Sequence, residues 1–503
     1  MPCCRSAEKL KDLCVENVAN NMDNLWCADY KEKFANHKLR FVIGPFHHLD
    51  SKCLNEIIKV LNSRKSLKKL HLHLLITPYL LDLDLSGAAK YATNEFLDIA
   101  VERCDHLRSV NLTSCSRLSA YKIVQLVEKF GHKLKKLELN GTKIDDTVIE
   151  AIGQHCKQLV VLDLSNTSKL TENGLRKLFV RTSNLNQPTD VAKTLKVLYM
   201  IMCKFGSTDP VPFLVEILMK FCPGLTTLDH GCLWQTIFTI CNQTNYTYKF
   251  ALTGLVYQFP IPMFDYRRAI DFKKLMTCLP SYCHFCAMYY NEPFGIEFFH
   301  ITSMRSTCLQ SLCIDWNAPF HFLDYVGKEC PNIVTLQLDL RFFDYETNDA
   351  LHNAFEAHQA SLMKDTPMWR SLHILCLTFP FSPAPNSVLP VLKRLFANSY
   401  KTLIEARINQ LQSPGINKML TDTLELGHFQ SLEHLDVSDS HDINADTIWE
   451  FMLHEGNLDK ISFMDCKGVS LHDFMTMQDY VLEKNINVKL VYDWHCLDDV
   501  EFY

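Results

Sequence analysis

Hydrophobic positions recur along this chain in a hexapeptide pattern in which leucine or a similar residue occupies positions 1, 4 and 6. Clear copies begin at Leu80, Leu107, Leu134, Leu159, Leu195, Leu225, Leu309, Ile333, Leu372, Leu403, Leu432 and Leu458. Most copies lie 24 to 31 residues apart, and intervals of 36, 39 and 84 residues interrupt the series. Two weaker copies, at Leu252 and Tyr282, divide the longest interval into repeats of ordinary length. Each copy predicts a short strand whose leucines point into a core.

A helical pattern follows the strand within a repeat. After the copy at Leu134, the residues Ile144, Val148, Ile149 and Ile152 fall on one helical face. One repeat cannot bury that face alone, whereas stacked repeats form a continuous core. We therefore predict an α/β fold, a leucine-rich-repeat solenoid with a curved parallel sheet inside and helices outside. It would span residues 80–503 with about 12–14 repeats and an irregular region near residues 231–305.

Cysteines occupy regular places in this pattern. Four of them stand three residues before the first position of a copy, namely Cys104, Cys156, Cys222 and Cys330. Three others stand eight residues after one, namely Cys115, Cys203 and Cys466. In these features the chain resembles the cysteine-containing leucine-rich repeats of ubiquitin-ligase substrate receptors. Such cysteines are expected to be small buried packing residues without redox chemistry.

The segment before Leu80 has a denser helical pattern. Leu10, Leu13, Cys14 and Val18 form a single apolar stripe. This stripe is similar to the elongin-binding box of cullin-RING receptors, although Lys9 stands where the box usually has a small residue. The resemblance implies that these four residues bind an adaptor, elongin B/C. A helix that only caps the first repeat is the alternative.

A second amphipathic helix is predicted around residues 49–61. Leu49, Cys53, Leu54 and Ile57 resemble a cullin box, which implies that they contact a cullin, but Asp50 replaces the usual proline. The two boxes in this order look like the Zyg-eleven type of receptor. A rival interpretation takes residues 46–61 as part of an F-box that binds a Skp adaptor. We assign residues 1–61 to a small N-terminal helical module and residues 62–79 to a connector.

The amino-acid composition limits the kinds of partner and the cellular compartment that we expect for this chain. The chain has 503 residues, with 51 basic and 57 acidic side chains and a net charge of −6. We therefore expect no general affinity for nucleic acid or an anionic membrane. Charged residues interrupt every long apolar stretch, so no membrane span is predicted. The 21 cysteines and the absence of a signal-peptide pattern favour a reducing compartment, the cytoplasm or the nucleus.

No catalytic pattern emerges from the sequence. Cys283 and Cys286 have the spacing of half a zinc site but lack a second pair, and His47 and His48 are interpreted as surface residues. Phosphate loops, dinucleotide fingerprints and nucleophile elbows are missing. We expect a binding protein without enzymatic activity, cofactor or metal.

Binding residues are expected on the strand surface, between the buried leucines. The candidates for contact with a protein substrate are Lys135, Lys136, Glu138, Asp163, Glu433, His434 and Asp436. Their mixture of charges suits protein or peptide recognition. A second candidate surface is the aromatic-rich segment 246–299, which contains Pro260, Pro262, Tyr266, Tyr289, Tyr290, Phe298 and Phe299. The resemblance then implies a non-catalytic substrate receptor of a cullin-RING ubiquitin ligase. A protein-interaction scaffold unrelated to ubiquitin is the alternative.

Overall fold

A computed structural model describes residues 10–28, 44–181, 184–203, 205, 209–243, 249–257, 279, 283–287, 308–315, 322–340, 368–379, 388–454 and 456–492. The chain divides into an N-terminal unit, Ala7–Leu252, and a C-terminal unit that begins at Thr253. Each unit contains its own parallel sheet. The aromatic-rich candidates between residues 260 and 299 lie outside the described residues.

Six parallel strands form the sheet of the N-terminal unit, in the order β1, β2, β3, β4, β7, β8. They are β1 (Asp82–Asp84), β2 (Ser109–Asn111), β3 (Lys136–Glu138), β4 (Val161–Asp163), β7 (Val197–Tyr199) and β8 (Thr227–Asp229). Each begins two residues after the first position of its copy. An antiparallel hairpin, β5 (Val180–Arg181) with β6 (Asn184–Pro188), is inserted between β4 and β7. It accounts for the 36-residue interval in the sequence pattern.

Three helices precede the first strand of this unit, and the later helices lie between its strands or after the last one. The helices of this unit are α1 (Leu10–Asn20), α2 (Ser51–Ser63), α3 (Lys69–Leu75), α4 (Asn94–Arg103), α5 (Ala120–Phe130), α6 (Asp146–His155), α7 (Glu172–Phe179), α8 (Asp190–Thr194), α9 (Val211–Glu216) and α10 (Leu233–Gln243). Short π-type segments cover Met22–Trp26 and Ile217–Phe221, and a 3-10 segment covers Ser86–Tyr91. Side chains of Thr93, Ser119, Asp145 and Thr171 cap α4 to α7, which explains where these helices begin.

Nine parallel strands form the sheet of the C-terminal unit. They are β9 (Gly254–Tyr257), β10 (His284–Ala287), β11 (Ser311–Asp315), β12 (Thr335–Asp339), β13 (Ile374–Thr378), β14 (Glu405–Asn409), β15 (His434–Asp436), β16 (Lys460–Ser462) and β17 (Lys489–Val491). The helices described in this unit are α11 (Phe322–Glu329), α12 (Val388–Ser399), α13 (Ile416–Glu425), α14 (Ala445–Leu453) and α15 (Leu471–Lys484). The two weak copies at Leu252 and Tyr282 correspond to β9 and β10, which pair in parallel.

Buried leucines join the strands to the helices, as the pattern predicts. Leu134, Leu137 and Leu139 are fully buried, and so are Val148 and Ile152 of the following helix. Ile144 is also buried but precedes α6, because Asp145 caps the helix after it. The predicted leucine-rich-repeat fold is confirmed by these alternating parallel strands and covering helices.

A left-handed residue recurs in the turn after the strands. The eighth residue of seven repeats has positive φ, at Ser114, Gly141, Asn166, Met202, Gln410, Asp439 and Asp465. This conformation directs the amide of the residue toward the next repeat. Gly141 donates to the carbonyl of Ser165 at 2.9 Å, and Ser114 donates to that of Asn140 at 2.7 Å. The turns therefore add a hydrogen-bond ladder beyond the end of the sheet.

Candidate adaptor- and target-binding surfaces

Helix α1 exposes most of the stripe that the sequence predicts to bind an adaptor. Leu10 is 77% exposed, Leu13 is 48% exposed and Cys14 is also exposed, whereas Val18 is half-buried. Ordinary capping would bury such a stripe against the repeats. A set of neighbouring apolar side chains in water instead marks an interaction surface.

Other residues of α1 make its packing contacts. Val15 and Ala19 are buried, and the helix packs against α2. Polar contacts also join the two helices, since Arg64 donates to Asn20 Oδ1 at 2.7 Å and forms an ion pair with Glu16. The helix is thus fixed in place without using its exposed stripe.

The π-type segment Met22–Trp26, which follows α1, contacts α3 and the residue before it. Asp23 accepts a hydrogen bond from Lys68 Nζ at 2.6 Å, and one of its oxygens lies 2.9 Å from His71 Nε2. Lys68 holds the pKa of Asp23 below its usual range. Leu25, in the same segment, is exposed and was not predicted as a site residue. An isolated leucine between Asn24 and Trp26 offers no periodic pattern by which sequence reasoning could find it.

Helix α2 corrects part of the cullin-box prediction. Leu54 and Ile57 are 0% and 1% exposed, because they face the core together with Ile58 and Leu61. These two side chains therefore belong to the core and are not available to a cullin. Leu49 and Cys53 are half-buried and stay predictions.

Asp50, which stands in place of the usual proline, has a structural role at the start of α2. Its carboxylate accepts the amide of Cys53 at 2.8 Å and caps the helix. That backbone hydrogen bond holds the pKa of Asp50 below its usual range. The departure from the box pattern therefore coincides with a helix cap.

The regular cysteines are packing residues with weak hydrogen bonds to the backbone. All seven are buried, and burial raises the pKa of Cys104, Cys115, Cys156, Cys222 and Cys330 to about 12. Cys466 Sγ lies 3.2 Å from the carbonyl oxygen of Val437, and Cys203 Sγ lies 2.9 Å from that of Leu164. In the repeats between Cys115 and Cys203, threonine occupies the same position, and the hydroxyls of Thr142 and Thr167 donate to carbonyls of their own repeats, those of Leu139 and Leu164. A buried thiol with a raised pKa is a poor nucleophile, so these positions support the fold.

The predicted substrate-binding residues lie on the outward side of the strands, but several have local partners. Lys135 and Glu433 are exposed; Lys136 forms an ion pair with Glu138 at 2.9 Å, and His434 lies 3.1 Å from Asp459. Asp163 and Asp436 accept the amides of Ser165 and Ser438, at 2.8 and 3.1 Å. These two carboxylates therefore also close the turn after their strands.

The part of the chain that the structure describes also bears on metal binding and membrane insertion. It contains no group of three or more His, Cys, Asp and Glu side chains placed to ligate a metal. No helix among these described residues has the length and apolar character to cross a bilayer.

The alternating parallel strands and helices define a leucine-rich-repeat protein. No family model matches the chain. It is similar to the DNA repair protein RAD7 of Saccharomyces cerevisiae, with 26% identity over 175 residues. This match covers 34% of the present chain and only 30% of RAD7.

Two solved structures are also similar. The crystal structure of the yeast Rad7 and Elc1 complex gives 16% identity and a TM-score of 0.47, covering 97% of this chain and 98% of that one. A leucine-rich repeat protein from Bacteroides thetaiotaomicron gives 10% identity and a TM-score of 0.26, covering 78% and 42%. Both scores are below 0.5, so the fold assignment rests on the strands and helices of this chain.

Proposed function

We propose that this chain is a non-catalytic substrate-recognition subunit of a cullin-RING ubiquitin ligase. Its N-terminal helices bind an elongin-type adaptor, and its outward strand surfaces bind target proteins. Ubiquitin transfer belongs to a recruited enzyme, and this chain supplies proximity and orientation. The carrying observation is the exposed stripe of Leu10, Leu13 and Cys14 on a helix that packs through Val15 and Ala19.

The energetics favour docking over capping for this stripe. Burying the exposed part of one leucine contributes about 1–2 kcal/mol, and the stripe offers two leucines and a cysteine at helical spacing. An amphipathic helix of this kind inserts into an apolar groove through residues at positions i, i+3 and i+4. A capping helix has no need to keep those side chains in water.

The yeast relative supports the choice of adaptor. RAD7 is named a DNA repair protein, and the solved Rad7 structure contains a second protein, Elc1. By analogy, we infer that the N-terminal module takes one small adaptor. A cullin would then contact the half-buried Leu49 and Cys53 and the bound adaptor. The F-box alternative with a Skp adaptor is second, because residues 46–61 lack the proline expected in an F-box.

A capture experiment tests the proposal. Tagged full-length chain should retain purified elongin B–elongin C, whereas Leu10→Asp combined with Cys14→Asp should lose at least about 90% of it, since two buried charges would oppose docking. The matched control is Leu426→Asp combined with Leu482→Asp, which also places aspartates at exposed positions, in the C-terminal unit. Equal thermal melts for both double variants would show that the fold is unchanged.

Three outcomes would contradict this function. Wild-type chain that captures a Skp adaptor and no elongin would support the F-box alternative. Capture that persists in the Leu10 and Cys14 double variant would remove the assignment of the stripe. If the wild-type chain binds neither adaptor, the remaining interpretation is a protein-interaction scaffold in which α1 only caps the repeats.

The same proposal sets the compartment in which the protein is expected. A receptor that works with cytoplasmic and nuclear ligase components would be found in those compartments. Thiol chemistry is consistent with this expectation, because the cysteines whose side chains the structure describes are free thiols.

A further inference from the structure

The fifth residues of the six repeats in the N-terminal unit form a continuous row across its sheet. In strand order they are Asp84, Asn111, Glu138, Asp163, Tyr199 and Asp229, each in register with the next. We call this set the acidic row. Adjacent members are about 5 Å apart along the sheet, the ordinary strand spacing. All six lie on the face opposite the buried leucines, because side chains alternate along a strand.

Three of the four carboxylates in the acidic row form a hydrogen bond or an ion pair within the described ranges of the chain, and the fourth, Asp229, does not. Asp84 and Asp163 accept the amides of Ser86 and Ser165, and Glu138 pairs with Lys136. Asp229 is only 6% exposed, and among the described residues its carboxylate, whose oxygens still reach solvent, has no hydrogen bond or ion pair. Leaving a carboxylate nearly buried and unpaired is costly, and proteins do so mainly where a ligand supplies the missing charge.

Tyr199 lies between Asp163 and Asp229 and adds an aromatic ring to the two carboxylates. Burial and the neighbouring Asp163 raise the pKa of Asp229 to about 6, and burial with the two carboxylates raises the pKa of Tyr199. Burial is the larger cause of both shifts, and the additional effect of the neighbouring carboxylates indicates negative potential at this end of the row. A carboxylate pair around an aromatic ring attracts a cationic side chain through ion pairing and cation–π contact.

The charged residues around Asp163, Tyr199 and Asp229 distinguish this part of the acidic row from a general acidic patch. Positions three and five of the six strands carry five carboxylates and a single lysine, Lys136. The basic residues Arg108, Lys135 and Lys196 precede the strands at position two, and Lys196 Nζ already bonds the carbonyl of Gly224 at 3.2 Å. Two of the five carboxylates, Asp163 and Asp229, end β4 and β8 on either side of Tyr199, and no basic side chain occupies position three or five of these strands.

We propose that the acidic row binds a basic segment of the target protein, with one arginine or lysine side chain seated between Asp163 and Asp229 against Tyr199. This inference deepens the proposed function, because it names the chemistry by which the receptor would select its targets. The segment would lie across the strands and meet successive carboxylates with successive basic residues.

Fluorescence anisotropy with full-length chain tests the proposal. The probe is a fluorescein-labelled peptide in which arginine alternates with serine, and the comparison peptide replaces each arginine by glutamate. The arginine peptide should bind, and Asp163→Asn combined with Asp229→Asn should weaken its binding by at least about tenfold. Tyr199→Leu should weaken it by about threefold through the lost ring. Glu128→Gln, on the exposed side of α5, removes one charge elsewhere in the same unit and should leave binding unchanged.

Several results would overturn the acidic row as a site. Equal binding by wild type and the double asparagine variant would do so, as would equal losses in that variant and in Glu128→Gln. Calorimetric binding of calcium that needs Asp163 and Asp229, with no binding of the arginine peptide, would assign the row to a cation instead. Asparagine is isosteric with aspartate, and a thermal melt of each variant verifies its fold.

The outcome is independent of the adaptor experiment. Peptide binding with failed elongin capture would overturn the ligase assignment and keep the basic-segment site. Elongin capture with no peptide binding would keep the ligase assignment and remove the acidic row.

Discussion

Single residues in the turns after the strands adopt a left-handed backbone conformation, which costs free energy for residues other than glycine. Seven repeats place a left-handed residue at the eighth position, and only Gly141 is a glycine. Non-glycine residues pay about 1 kcal/mol for this conformation, with asparagine and aspartate paying less. Met202, with φ of 58° and 70% exposure, gains no packing in return.

Replacing Met202 by glycine should therefore stabilise the protein. We expect a gain of about 0.5 kcal/mol in unfolding free energy, because relief of the left-handed strain exceeds the added chain entropy. Urea unfolding followed by circular dichroism measures the change. The same substitution at Met475, an exposed position inside α15, should cost about 1 kcal/mol because glycine is a poor helix former. A destabilised Met202→Gly would contradict the strain argument.

A second single residue, Asp229, is expected to make the stability of the folded protein depend on pH. Its pKa is raised from 3.8 to about 6 in the folded chain, so the folded state binds the proton more tightly than the unfolded one. The stability that protonation contributes is fully present below about pH 4 and is lost as pH rises through about 6. A shift of about two units corresponds to about 3 kcal/mol, which partial solvent access reduces to about 1–2 kcal/mol.

Asp229→Asn should consequently be more stable than wild type above pH 6, and the difference should vanish near pH 4. Thermal melts of both proteins across this range measure it, and the comparison cancels the titration of other groups. Glu128→Gln serves as the control and should show no such trend. A constant difference between the two proteins across the range would mean that Asp229 is not the titrating group.

At the scale of helices, exposure separates one cysteine from those of the repeats. Cys14 is exposed on α1, whereas Cys104, Cys115, Cys156, Cys222, Cys330 and Cys466 are buried with pKa values raised to about 11 or 12. Iodoacetamide at pH 8 reacts with thiolates that it can reach. Cys14 should be alkylated in the native protein, and the other six only after denaturation.

Mass spectrometry of tryptic peptides measures the alkylation of each cysteine, and the same measurement tests whether the adaptor covers Cys14. Bound elongin B–elongin C should slow alkylation of Cys14 by at least about fivefold if the stripe lies in the interface. The Leu10→Asp variant, mixed with the same adaptor, is the control and should show no slowing. Unchanged alkylation in a wild-type complex that demonstrably forms would place the adaptor elsewhere.

Sequence periodicity predicted the strands well because the buried leucines of each strand recur at fixed positions in the sequence. β17 was missed because Asn487 replaces the first leucine of that copy, and the β5–β6 hairpin was missed because it lies outside the repeat pattern. Left-handed turns were invisible because serine, methionine and glutamine also occupy them. For β17 and the left-handed turns, backbone hydrogen bonds to the neighbouring repeat, and not the local residue, set the conformation.

Site residues were harder to predict than elements, and the two N-terminal helices show why. An apolar stripe does not say which partner buries it. On α1 the stripe is exposed and Val15 packs, whereas on α2 the core takes Leu54 and Ile57, two of the residues assigned to a cullin. The acidic row escaped notice because its members are 25 or more residues apart and meet only through strand register.

The chain as a whole contains two compact units, each with a separate sheet, and this division suggests where autonomous function lies. Unit Ala7–Leu252 contains α1, α2 and the entire acidic row. Repeat proteins are stabilised by contacts between neighbouring repeats, so a complete unit can fold alone when its interfaces are intact.

We therefore expect residues 1–252 to fold as an isolated fragment with a cooperative thermal transition. It should capture elongin B–elongin C and bind the arginine peptide with affinities within about threefold of the full chain, because both surfaces lie within this unit. A fragment ending at residue 181 is the control. It lacks β7 and β8, so it should melt at a lower temperature and lose the peptide while keeping the adaptor. A 1–252 fragment that is folded by circular dichroism but captures no adaptor would show that adaptor docking requires the C-terminal unit.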